Sequence, residues 1–113
     1  MNVLCGTTRS GRSIYENATS EERPAVHPCH QNFTADDHFD AFAVFTFLAI
    51  KYIRRYGKRD HRAESYEGQA SLHRSILMET GAMSDAVLRS GIKTMFELTR
   101  FAQRLVWPGY RMD

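Results

Sequence analysis

The sequence predicts an all-α protein: a small three-helix domain over residues 33–113, with helices near 35–56, 63–80 and 85–107, and an extended, mostly irregular N-terminal arm over 1–32. Three observations carry this. N-cap residues at Thr34 and Ser84 each precede a long stretch of helically spaced apolar residues. Gly57, Gly81 and Pro108-Gly109 stand where the helices should end. Residues 1–32 show little apolar periodicity and hold Gly6, Gly11, Pro24 and Pro28 among many Ser, Thr and Asn.

The first helix is framed by a capping box, Thr34 with Asp37. Asp36, Asp37 and Asp40 sit at its positive dipole end, and Lys51, Arg54 and Arg55 at its negative end. Between them Ala41 to Ile50 runs without a charge. Phe39, Phe42, Thr46, Ala49 and Ile53 share one face; Phe45, Leu48 and Tyr52 a second; Phe47 lies on a third. A helix apolar nearly all round must be covered on most sides. Two companion helices leave one side needing cover: either the arm folds over it and this is a central core helix, or it is an apolar seam facing a partner chain or a second copy, which the arm's few large apolar groups favour. Phe42, Phe45 and Phe47 are the candidate partner-binding residues, joined by Trp107 and Tyr110, which are typical of interface hot spots.

The second helix has a thinner stripe, Tyr66, Ala70, Leu72, Ile76 and Leu77, interrupted by Gly68. In the third, Met83 should staple onto Leu88, and Leu88, Ile92, Met95, Phe96, Leu98, Ala102, Leu105 and Val106 form a broad apolar face. Glu97 should pair with Lys93 and Arg100 on the opposite face.

Composition narrows the function classes. The 113 residues fit one domain, and a net charge of +2 argues against an obligate polyanion binder while leaving local basic patches open. Two cysteines, Cys5 and Cys29, make no disulfide framework and read as free thiols of a reducing, cytoplasmic compartment. Two sequons, at Asn17 and Asn32, lack a preceding secretory signal: the apolar-leaning start is too short for one. The uncharged run in the first helix falls short of a membrane span.

Four motifs offer chemistry. Gly6-Thr-Thr-Arg-Ser-Gly11-Arg12-Ser13 has the spacing of a phosphate-binding loop, with Arg in place of Lys and without the strand and helix that such a loop needs. His27, Cys29, His30 and His38 offer zinc-type donors, at a non-standard spacing with Pro28 among them. Lys51, Arg54, Arg55, Lys58, Arg59 and Arg62, interleaved with Tyr52 and Tyr56, form the densest basic stretch, suited to phosphates and bases. Asp36, Asp37, His38 and Asp40 cluster without an identifiable nucleophile, and capping already explains them.

The expectation is therefore a non-enzymatic protein–protein interaction module without a cofactor. It would be a small helical subunit, adaptor or inhibitor that docks on a larger assembly or self-associates; a viral or phage inhibitor fits the same features. The alternative is a nucleic-acid-binding protein using residues 51–62. A further alternative is an oligomer that sequesters a nucleotide or other small molecule.

Overall fold

A computed structural model of the chain describes residues 3–16, 27–81 and 91–109, with side chains in the last stretch from 95 onward. Its order is a hairpin of β1 (Val3–Thr7) and β2 (Ser13–Glu16), a 3₁₀ turn (Pro28–His30), and helices α1 (Ala35–Tyr56), α2 (His61–Glu79) and α3 (Gly91–Gln103). The helical class is as predicted. The two-stranded sheet is an addition to it, in a segment read as mostly irregular.

Helix α1 begins at its capping box. The Thr34 hydroxyl accepts from the Asp37 N–H at 3.2 Å, and the Asp37 carboxylate accepts from the Thr34 N–H at 3.1 Å. Gly57 ends it in a left-handed conformation, φ 95°. Helix α2 starts two residues before the predicted position because the Asp60 carboxylate caps it, accepting from the N–H groups of Arg62 and Ala63. It then runs unbroken through Gly68. The expected Ser84 cap and the Met83–Leu88 staple lie outside the described residues.

Helix α3 stops at Gln103, four residues before the predicted end. The reason is competition for backbone hydrogen bonds. The Thr7 N–H donates to the Leu105 carbonyl at 2.8 Å and the Trp107 N–H to the Cys5 carbonyl at 2.9 Å, with an antiparallel bridge between Gly6 and Val106. Residues 105–107 thus act as a third strand along β1, and β2 covers its other edge.

This ribbon answers what covers the third side of α1. Helices α2 and α3 pack along α1, and β1 lies across it. Gly6 is the contact point. A Cβ placed there would stand 2.6 Å from the Leu105 carbonyl oxygen and 3.4 Å from Val44 Cγ1. Cys5 and Ile14 of the hairpin join the same core as Phe45, Leu48 and Tyr52. Phe45 is fully buried, and Phe42 and Phe47 are each 8% exposed. The expected apolar seam on α1 is therefore corrected: all three phenylalanines are core. The arm is poor in large apolar groups, but the Gly6 backbone with the buried Cys5 and Ile14 side chains is enough to cover this side of the helix.

The turn of the hairpin is tied to α1 through buried carboxylates. Arg9 Nε donates to Asp40 Oδ1 at 3.0 Å, and the Arg9 N–H to Asp40 Oδ2 at 2.9 Å. Ser10 Oγ donates to Asp37 Oδ1 at 2.7 Å, and Arg12 Nε lies 3.3 Å from Asp37 Oδ2. Both aspartate side chains are 1% exposed.

Two outcomes follow. Gly6→Ala should lower stability by about 1–3 kcal/mol, because the clash is with rigid backbone rather than a side chain that can turn away. Urea denaturation reads this directly, and an unchanged midpoint would remove Gly6 from its stated role. Asp40→Ala should cost about 1–3 kcal/mol by stripping the Arg9 N–H of its acceptor. It should also speed hydrogen exchange at the Thr7 and Trp107 amides. Unaltered exchange there would mean the hairpin is held by something else.

Candidate functional site

The glycine loop is not a phosphate cradle. Its backbone is spent on itself: the Thr8 N–H donates to the Arg12 carbonyl, the Gly11 N–H to the Thr8 carbonyl and the Arg12 N–H to Thr8 Oγ1. Arg12 is paired with Asp37 and Arg9 with Asp40. Burial alone would raise the Asp37 carboxyl, but hydrogen bonds from Ser10 and from the Thr34 backbone and side chain hold it below its ordinary range.

The histidines gather in the interior, but differently from the zinc pattern. His27, His30 and His38 are joined by His73 from α2, while Cys29 is exposed. His30 ring centroids lie 5.2 Å from His27 and 5.4 Å from His73, and His38 lies 5.1 Å from His73. Their nitrogens are engaged. His27 Nδ1 accepts from the Cys29 N–H, His30 Nε2 accepts from the Tyr15 N–H, and His38 Nδ1 and His73 Nδ1 bond to each other at 2.9 Å. The last pair needs one ring to donate and the other to accept, so the accepting ring is neutral. Among the described residues no three His, Cys, Asp or Glu side chains converge on a metal position. The rings form a ladder instead, continued by Phe33 and Phe45 stacked on His30 and His73. Burial and then the neighbouring histidines push His30 down to about 4 and His73 down to about 3.

The basic stretch does form one surface, across the C-terminal half of α1, the turn after it and the start of α2. Arg54, Arg55, Lys58, Arg59 and Arg62 are exposed. Arg55 stacks over Tyr56, and Arg62 over Tyr52, whose hydroxyl it also reaches. Lys51 and Arg54 turn toward α3 and line a groove of about 340 Å³ with Met95, Phe96, Thr99 and Arg100. Phe96 is 63% exposed. The Arg100 guanidinium lies 5.9 Å from its ring, and Lys51 Nζ lies 5.4 Å from the Phe47 ring.

Sequence reasoning missed half of this groove. Phe96 was assigned to the buried face of the third helix and Arg100 to a pair with Glu97. Among the described residues Glu97 and Arg100 form no ion pair; Arg100 covers Phe96 instead. Helical spacing placed Phe96 at the margin of the stripe, and that marginal position was the available signal. Trp107 is 44% exposed at the other end of the ribbon, and Tyr110 lies outside the described residues.

Comparison with protein-family models, curated proteins and solved structures finds no match. No helix among the described residues is long and apolar enough to cross a membrane.

The histidine ladder makes stability depend on pH. An unfolded histidine takes up its proton near 6.5, whereas His30 and His73 in the fold do so only near 4 and 3. Between those values unfolding takes up protons, so stability falls as pH drops. A loss of about 5 kcal/mol between pH 7 and pH 4.5 is expected from the two rings together. His73→Phe, which keeps the stack and removes the titration, should flatten that dependence. An equal acid loss in the variant would show that other groups carry it.

Proposed function

We propose that this protein is a non-enzymatic protein-interaction module, a small helical subunit, adaptor or inhibitor. The observation that carries the reading is the groove between α1 and α3, where Lys51, Arg54 and Arg100 meet the exposed Phe96. Exposed aromatic and arginine side chains at one concave place are what a protein partner uses as anchors. The stabilising work of the chain lies elsewhere. The two ion pairs among the described residues are at the hairpin turn, and Lys51, Arg54 and Arg100 make none there. Three like charges held close without carboxylates do little for the isolated fold and are suited to an oppositely charged partner.

The second reading, nucleic-acid binding by Lys51, Arg54, Arg55, Lys58, Arg59 and Arg62, is favoured by their shared exposed surface beside Tyr56. Salt separates the two. Phosphate contacts release counterions and weaken steeply as salt rises, while apolar docking does not.

The test combines partner recovery with mass by light scattering. The protein is expected to co-purify with a protein partner, or to self-associate with rising concentration, in moderate salt. The double variant Phe96→Ser, Arg100→Glu should abolish that complex while shifting stability by no more than about 0.5 kcal/mol, since both side chains are exposed. A complex that contains only nucleic acid and dissolves with salt would replace this reading with the second.

A further inference from the structure

A second groove adjoins the first. It has a volume of about 330 Å³ and runs between α1 and α2, lined chiefly by Phe42, Ile50, Ile53, Ala70 and Met95. Ile50 and Met95 belong to both grooves, so the two meet along the surface of α1. Their chemistry differs. The α1–α3 part carries Lys51, Arg54 and Arg100, and among the described residues no carboxylate lines it. The α1–α2 part is apolar, with Glu67 and Arg74 among its lining residues.

We infer that the joined grooves bind an acidic peptide segment of a partner protein, with its carboxylates at Lys51, Arg54 and Arg100 and a large apolar side chain between Ile50, Met95 and Ile53. Charge complementarity sets the occupant. Three cations at one end select carboxylates, while Glu67 and Arg74 offset each other at the other end, so the preference for acids is confined to the α1–α3 part and gives the segment a direction. The apolar part separates a peptide from a nucleic acid. An aliphatic or aromatic anchor gains from leaving water there, whereas a phosphate backbone offers nothing to bury. This inference rests on the interaction reading above and narrows it to one partner chemistry.

The experiment is selection from a random displayed-peptide library on the whole protein. The enriched sequence is then made as a fluorescent peptide and its binding measured by anisotropy. Enriched peptides should carry Asp or Glu close to Leu, Phe or Trp. Arg54→Glu with Arg100→Glu should weaken the peptide at least tenfold, with an unchanged thermal transition because both arginines are exposed. Ile53→Asp should weaken it without altering its salt dependence, and Ile53→Ser serves if that variant fails to fold. Peptides enriched without acidic residues, yet lost on Ile53→Ser, would overturn the acidic partner and leave protein docking intact. A library that yields nothing while a single-stranded oligonucleotide binds, and is lost on the same charge reversals, would overturn both. Binding of neither probe would overturn the inference.

Discussion

Two buried carboxylates at the start of α1 hold this molecule together. Asp37 and Asp40 stand one helical turn apart, and the hairpin turn supplies what they need: Ser10, the Arg9 backbone and two guanidinium groups. Carboxylates so placed are costly unless paired, so the hairpin cannot leave without stranding them. Everything on the hairpin side of α1 follows. The anchored turn lays β1 across Val44, β1 captures residues 105–107, and their capture ends α3. The guanidinium heads stay half in water, which lets the ion pairs form without burying both charges.

The opposite end of α1 is electrostatically the reverse. Asp37 and Asp40 at its acidic end are consumed by structure, while at its basic end Lys51 lies over Phe47 and the exposed Arg55 over Tyr56. A net charge of +2 conceals this separation, because acidic residues spread along the rest of the sequence balance the sum. Cations over aromatic faces gain modestly from the contact. Charge therefore separates along one helix, although both halves contribute to the core through Phe45, Leu48 and Tyr52.

Between the two ends the core is unusually polar. Histidine rings take positions that aliphatic side chains would fill more cheaply, and each must find a partner nitrogen, carbonyl or amide. They do so by linking elements distant in sequence: His30 binds the β2 backbone and His38 joins His73 across α1 and α2. Such a network specifies the register of the 3₁₀ turn, the hairpin and two helices at once, at the cost of acid sensitivity.

Much of the helical frame was legible in the sequence, because it is written in local chemistry. The Thr34–Asp37 box, the acidic start and basic end of α1, and Gly57 all act within a few residues of where they stand, and α1 spans the predicted residues. The basic surface was legible for the same reason, since its residues are contiguous. What the sequence did not disclose depends on residues far apart. Asp37 and Asp40 looked fully explained by capping and the helix dipole, and nothing local indicated that Arg9 and Arg12 would reach them from the hairpin turn. His73 was invisible as a member of the histidine cluster, and Phe96 as the neighbour of Lys51 and Arg54, because helical periodicity assigns a face but not what that face meets. The sequence alone determined that α1 would be apolar nearly all round. Only the tertiary structure decided that a hairpin of this chain would lie across it, because Gly6 backbone excludes water without a hydrophobic signature and Cys5 and Ile14 are too few to show as a periodic stripe.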